Sequence, residues 1–225
     1  MSDRSPVNGM VVAVAAVLAA APAGAARVPM ATPLSEAGYE RIARSSGVSV
    51  YKHRDADVIQ LGADARIDAP PDAVMRALLD YEGQVGVIGR LSEVKVLRRA
   101  KGQLTVYQRL NLPVIDDRDF TLDVRYGQAG ETRWITYRAL KRGGPPPRDG
   151  VVRVTDHSGS WQLRPVDGGR ATLARFMVRI DLSGWLPKWM ARSGSGKEVP
   201  ELFKQVRVLA DSHRSNDGRI AWSSK

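Results

Sequence analysis

The sequence predicts an α+β fold in which an antiparallel β-sheet packs against a long C-terminal α-helix. Segments with alternating apolar residues follow one another from Glu93 to Asp181, with short turn sequences between them. A helix with a complete apolar face follows the last of these segments. The chain has 225 residues, of which 43% are hydrophobic, and this length is typical of one domain with a substantial core.

Residues 1–26 have the pattern of a secretory signal peptide. Arg4 precedes an apolar run from Met10 to Ala21, and small residues follow up to a cleavage site near Ala25 or Ala26. The apolar run is shorter than the roughly 20 residues that a membrane-spanning helix needs, so a retained anchor is the less favoured alternative. The pattern therefore predicts an exported protein, periplasmic or secreted.

Composition narrows the classes of partner and chemistry. The chain has no cysteine, which excludes disulfides, thiolate metal sites and cysteine nucleophiles. Its net charge of +10 favours an anionic partner such as a membrane surface, with simple solubility as the alternative.

Residues 27–57 are predicted to form an N-terminal helix and the first strand. Thr32 and Pro33 followed by Glu36 are typical of a helix start, and Gly47 of its end. The apolar period then changes to two from Val48, which indicates two short strands joined by a polar turn.

A short helix and a series of strands should follow. Asp72 opens a stretch to Tyr81 in which apolar residues recur at every third or fourth position. Turn sequences rich in Gly, Pro and Asp separate the later segments, so an antiparallel meander is expected. The predicted strands are residues 93–99, 104–112, 119–126, 133–140, 151–156, 160–165 and 171–181.

The closing helix carries its apolar residues on one face, which predicts packing against the sheet. This face comprises Val199, Leu202, Phe203, Val206, Leu209 and Ala210. Residues 213–225 form a polar tail.

Several motifs resemble those of START (StAR-related lipid-transfer) domains. Leu112 and Pro113 with the stretch 117–120 are similar to the family's P…RDF signature, and residues 160–165, 167–172 and 181–189 are similar to its later strands and its entry to the last helix. The resemblance extends from Val58 to Ala210, and we assign residues 58–212 to a START-like lipid-binding domain. It implies the helix-grip fold of the Bet v1-like superfamily, in which a curved antiparallel sheet wraps around the C-terminal helix and leaves an internal apolar cavity.

Within that fold, strand alternation predicts which side chains line the cavity. A solid core made of the same residues is the alternative. The polar candidates are Arg109, Tyr137, Arg138 and His157. Strand alternation places Arg109 on the outer face of its strand, so its neighbour Gln108 is favoured instead. The predicted lining is Val106, Gln108, Leu110, Phe120, Leu122, Tyr137, Arg138, Trp161, Phe176, Leu202, Phe203 and Val206.

The segment before the last helix combines aromatic, aliphatic and cationic side chains. We predict that Trp185, Leu186, Lys188 and Trp189 contact a membrane and gate ligand entry, with capping of the core as the alternative.

No catalytic or metal-binding motif is evident in the sequence. The histidines His53, His157 and His213 fall on separate predicted elements. The aspartates between Asp116 and Asp119 are interpreted as a solvated turn and an ion pair with Arg118. We therefore expect no cofactor and no metal.

The sequence as a whole favours a periplasmic carrier that encloses a lipid or sterol-like molecule, acts as a monomer and contacts an anionic membrane surface. The resemblance also allows a second hypothesis, an enzyme like the polyketide cyclases and aromatases that share the helix-grip fold. Nucleic-acid binding is not expected, because no recognition motif accompanies the positive charge.

Overall fold

The computed structural model describes residues 28–112, 115–182 and 198–215. One ten-stranded β-sheet and two α-helices make up this part of the chain. The strands are β1 (Tyr39–Ser45), β2 (Val48–His53), β3 (Ile59–Ile67), β4 (Leu91–Ala100), β5 (Gln103–Leu110), β6 (Asp117–Ala129), β7 (Thr132–Ala139), β8 (Val151–Arg153), β9 (Asp156–Val166) and β10 (Ala171–Asp181). The helices are α1 (Pro71–Leu79) and α2 (Glu198–Ser215), and a 3₁₀ turn (Asp167–Gly169) joins β9 to β10.

The sheet is antiparallel along its main path, which has the strand order β1-β2-β3-β10-β9-β7-β6-β5-β4. Hairpins connect most neighbours, and the pairing of β3 with β10 joins an early strand to the last one. The short β8 is the exception to the predicted meander, because it pairs in parallel with β6. The predicted α+β helix-grip fold is confirmed.

The predicted N-terminal helix is wrong. Residues 28–38 form a series of turns, and Gly38 leads into strand β1 at a positive φ of 85°. Ser46 and Gly47 also have positive φ, so they form a tight two-residue hairpin between β1 and β2 where a helix end was expected. Packing supplies the reason: Leu34 and Tyr39 bury themselves against Met177 of the sheet.

Both helices pack against one face of the sheet, which we call the inner face. The main core lies there and joins apolar residues of α1 and α2 to alternate residues of the strands. Arg207 fixes α2 to the sheet by donating to the backbone carbonyls of Ser46 (3.1 Å) and Arg66 (3.0 Å). In the described ranges, neither helix is long and apolar enough to span a bilayer.

Candidate ligand cavity

A cavity of about 240 Å³ lies between the inner face and the two helices. Sixteen of the described residues line it, and they come from α1, the segment after it, six strands and α2. They are Leu78, Tyr81, Gln84, Ile88, Leu91, Gln108, Leu110, Phe120, Leu122, Ile135, Tyr137, His157, Trp161, Phe176, Val178 and Leu202.

Strand alternation explains why these side chains meet. Residues two apart on one strand point to the same face, and antiparallel register places the corresponding residues of neighbouring strands side by side. Gln108 is paired with Phe120 across β5 and β6, and Trp161 with Phe176 across β9 and β10.

One end of the cavity is a wall of aromatic rings. The ring centroids of Trp161 and Phe176 are 4.7 Å apart, and those of Trp161 and Phe203 are 5.2 Å apart. Phe203 is fully buried behind this wall, so α2 supports the tryptophan without itself presenting Phe203 to the cavity. The contacts hold the rings in place and keep this end apolar.

The other notable group is the imidazole of His157 on β9. Its ring meets Phe120 at 4.7 Å and Tyr137 at 5.2 Å, both edge-on. Its Nδ1 is buried and has no hydrogen-bond partner. Burial lowers the pKa of His157 to about 4, although the nearby Asp156 carboxylate acts in the opposite direction. The imidazole is therefore neutral at physiological pH.

The two tyrosines of the cavity are also uncharged. Burial raises the pKa of both Tyr81 and Tyr137, and in Tyr137 the nearby Tyr81 adds to the rise. Gln84 uses its side-chain amide to donate to the carbonyls of Ala77 (3.2 Å) and Leu78 (3.1 Å), which closes the last turn of α1. Among the described lining residues there is no Asp, Glu, Lys or Arg, so the cavity has hydrogen-bonding groups but no formal charge.

Two other cavities have a different chemistry. One of about 250 Å³ is lined in part by Lys52, Asp57 and Asp181, and one of about 460 Å³ in part by Lys101 and Arg133. Charged side chains at their walls are suited to water, whereas the cavity of the inner face is suited to an apolar molecule.

The family described as polyketide cyclase, dehydrase and lipid transport matches residues 67–207, more than half of the chain. The chain belongs to this family. Among curated relatives, the mitochondrial steroidogenic acute regulatory protein of Gallus gallus is 28% identical over 147 residues, which cover 63% of this chain and 52% of that protein. The human protein of the same name is 23% identical over 159 residues, which cover 68% and 56%. The chain thus spans about half the length of these relatives.

Solved structures of START-domain proteins superpose on this chain and confirm the START fold. Human STARD10 superposes with a TM-score of 0.71 at 19% identity, covering 80% of this chain and 76% of that one. The STAR-related lipid transfer protein of Xanthomonas axonopodis gives 0.69 at 19% identity, covering 77% and 99%. The Zhui aromatase/cyclase of Streptomyces gives 0.52 at 16% identity, covering 72% and 98%.

Most of the residues that the sequence predicts to line the cavity do line it. They are Gln108, Leu110, Phe120, Leu122, Tyr137, Trp161, Phe176 and Leu202. Val106, Phe203 and Val206 are fully buried in the core beside the cavity and do not line it. For these three, the solid-core alternative describes the structure.

Arg138 does not line the cavity, and its predicted place there is wrong. Tyr137 precedes it on β7 and points inward, so alternation turns Arg138 to the outer face of the sheet. There it lies 3.6 Å from the Asp123 carboxylate with its side chain 45% exposed. Arg109 is also outward, as parity predicts, and pairs with Asp117.

The predicted ion pair of Arg118 with the neighbouring aspartates has to be reassigned. Asp119 accepts two hydrogen bonds of 2.8 Å from Arg153, and Asp117 pairs with Arg109. Arg118 is buried and donates to the backbone carbonyls of Asp116 (2.5 Å) and Leu182 (3.3 Å).

The sequence prediction missed the cavity residues that come from α1 and the segment after it. Leu78, Tyr81, Gln84 and Ile88 close one side of the cavity. The apolar residues between the glycines of this segment were a usable signal, because exposed loops seldom carry so many. The predicted membrane residues Trp185, Leu186, Lys188 and Trp189 lie outside the described residues.

Proposed function

We propose that this protein is an exported carrier that encloses a hydrophobic molecule in the inner-face cavity and moves it between membranes. The observation that carries the proposal is the cavity itself: apolar and aromatic walls surround it, and its described lining has no charged group. Such a site favours transfer of an apolar molecule out of water.

The relatives support a lipid as the cargo. The family description includes lipid transport, and the name of the Xanthomonas structure identifies a lipid transfer protein. Its 19% identity establishes the fold alone, so we extend the lipid cargo to this chain as a proposal.

Export and membrane contact are parts of the same proposal. The N-terminal pattern of residues 1–26 supports a periplasmic or secreted location. The net charge of +10 supports attraction to anionic lipids, and the residues Trp185, Leu186, Lys188 and Trp189 have the chemistry of an interfacial anchor. We propose that the protein works there as a monomer.

An enzyme with the same cavity is the second candidate. Tyr137 and His157 lie together in the cavity, and a neutral imidazole beside a phenol is able to act as a base and an acid. The family description includes polyketide cyclases, and the Zhui aromatase/cyclase shares the fold. The carrier is favoured because export removes the protein from the cytoplasm, where polyketide intermediates are normally handled.

Native mass spectrometry of the purified mature protein, followed by extraction and identification of bound lipids, tests the carrier directly. We expect one lipid molecule per protein, recovered chemically unchanged. A protein that stays without lipid after incubation with membrane lipids would contradict the proposal. Conversion of the bound molecule would favour the enzyme.

Membrane contact is tested separately by lipid transfer between liposomes. Trp189→Ala should slow transfer and weaken liposome binding, while the lipid content of the purified variant stays at the wild-type level. Val208→Ala, at an exposed position of α2, is the matched control and should behave as the wild type. Unchanged transfer by a folded Trp189→Ala variant would rule out the membrane role of this residue.

A further inference from the structure

We propose that the His157 imidazole and the Tyr137 hydroxyl form a neutral hydrogen-bonding subsite that selects an uncharged lipid with a hydroxyl or carbonyl group over a lipid with an ionised group. The inference rests on the proposed function and gives the ligand its chemical class. It is carried by the position of these two side chains and by the composition of the cavity around them.

The Nδ1 atom of His157 is buried and has no hydrogen-bond partner. A buried polar atom without a partner costs free energy, and native proteins rarely retain one without a reason. The two rings that hold the imidazole edge-on, Phe120 and Tyr137, are themselves part of the cavity wall. Because His157 is itself a lining residue, we infer that a polar atom of a bound ligand supplies the missing hydrogen bond.

Tyr137 is held beside His157 by its pairing with a glycine. Its register partner on β9 is Gly159, and the Tyr137 hydroxyl lies directly over this glycine. A side chain at residue 159 would occupy the place of the hydroxyl, so the glycine lets the phenol lie beside His157. Because the hydroxyl is both a donor and an acceptor, the pair can bind an alcohol or a carbonyl oxygen.

The described lining of the cavity has no charged side chain. A buried carboxylate or phosphate needs a cation or several donors, and the described lining has no Lys or Arg. The imidazole does not become the missing cation at neutral pH, because burial lowers its pKa. An ionised ligand group is therefore disfavoured inside the cavity.

The cavity volume guides the choice of probes. A volume of about 240 Å³ corresponds to about eight water molecules at roughly 30 Å³ each. Short single-chain molecules are therefore suitable. Four probes share an unbranched ten-carbon chain and differ in its end group: decane, 1-decanol, methyl decanoate and decanoate.

The experiment measures how each probe displaces a bound neutral fluorescent lipid from the delipidated protein at pH 8. We expect decanol and methyl decanoate to bind about two- to tenfold more tightly than decane, after correction for their transfer from water to hydrocarbon, as one neutral hydrogen bond predicts. Decanoate should bind at least about tenfold more weakly than decanol, because its charge would be buried without a partner.

Two variants assign the selectivity to the subsite. The variants His157→Phe and Tyr137→Phe each keep an aromatic ring at the position but lack the polar atoms, and each should reduce the preference for decanol over decane. Ser158→Ala is the matched control, because the Ser158 hydroxyl is also buried without a partner but lies on the opposite face of β9 from His157. The control should retain the wild-type preference.

The outcomes separate this inference from the function on which it rests. Displacement by none of the four probes would contradict the carrier itself and the subsite with it. Decanoate binding as tightly as decanol, or His157→Phe retaining the full preference for decanol, would overturn the subsite alone. Each variant is first shown to be folded by its cooperative unfolding transition, so that a change in probe binding is not caused by unfolding.

Discussion

Gly159 lies opposite Tyr137 in the pairing of β9 with β7, and the phenol of Tyr137 covers the glycine on the inner face. A Cβ at residue 159 would collide with the Tyr137 hydroxyl and with the backbone carbonyl of Met177. The carbonyl belongs to the β-ladder and cannot move freely. The orientation of a cavity side chain thus depends on a residue that has no side chain.

Gly159→Ala should therefore destabilise the protein by about 1–3 kcal/mol, the usual cost of overpacking, and weaken ligand binding as Tyr137 is displaced. Urea unfolding and probe displacement measure the two effects. Gly89→Ala is the control, since a Cβ there makes only an ordinary contact at 3.7 Å with Gln205. Equal stability of both variants would contradict the close packing of Tyr137 on Gly159.

His157 should make the protein less stable in acid. Its pKa is about 4 in the folded chain and 6.5 when unperturbed. Between these values the unfolded chain binds more protons, so the stability contribution is fully present above pH 6.5 and is lost as the pH falls towards 4. The loss at pH 4 is about 3 kcal/mol.

Denaturant unfolding of wild type and His157→Phe across this pH range measures that loss. The carboxylates are present in both proteins, so the difference between the two curves reports the His157 imidazole. Tyr137→Phe is the control and should parallel the wild type, because burial raises the pKa of Tyr137 and keeps it protonated throughout. Parallel curves for His157→Phe and wild type would show that the imidazole is solvated.

The Asp119 carboxylate supports the outer face of the sheet. It is buried, accepts two 2.8 Å hydrogen bonds from Arg153 and accepts one of 3.1 Å from the Tyr107 hydroxyl. Asp119→Ala should lower the free energy of unfolding by about 2–3 kcal/mol, because it removes charge-assisted hydrogen bonds and leaves Tyr107 without its acceptor. Thermal and urea unfolding measure the change.

Asp68→Ala provides the comparison for Asp119. Asp68 pairs with Arg66 at 2.8 Å, but its side chain is 83% exposed. Exposed pairs of this kind contribute little to stability, so the free energy of unfolding of this variant should equal that of the wild-type protein. If both variants lost the same stability, burial of the Asp119 network would not be the cause.

Strand alternation allowed much of the cavity wall to be predicted from the sequence. Gln108, Phe120 and Trp161 all point inward as their parity requires. Arg138 is the exception among the predicted residues, because Tyr137 and Arg138 are consecutive on β7 and cannot face the same side.

Long-range packing accounts for what the sequence did not predict. Thr32 and Pro33 have the local chemistry of a helix start, but burial of Leu34 and Tyr39 against Met177 favours turns and a strand. Tyr81 and Gln84 reach the cavity because the segment after α1 folds against the sheet. No local periodicity encodes that contact.

Val178 offers a way to close the cavity without changing its polar groups. It lies on β10 among the lining residues and is only partly buried, so a larger side chain there would extend into the cavity. Val178→Phe should lower binding of the decanol probe at least about tenfold and reduce the lipid that co-purifies. The free energy of unfolding should change by less than about 1.5 kcal/mol, because the added ring fills existing space.

Val208→Phe is the matched control for this variant, since it makes the same change at a position on α2 that is 59% exposed. It should retain both the lipid and the affinity for decanol. Displacement assays and native mass spectra of the two variants are compared directly. A Val178→Phe protein that carries the wild-type amount of lipid would place the ligand outside the inner-face cavity and contradict the carrier mechanism proposed for it.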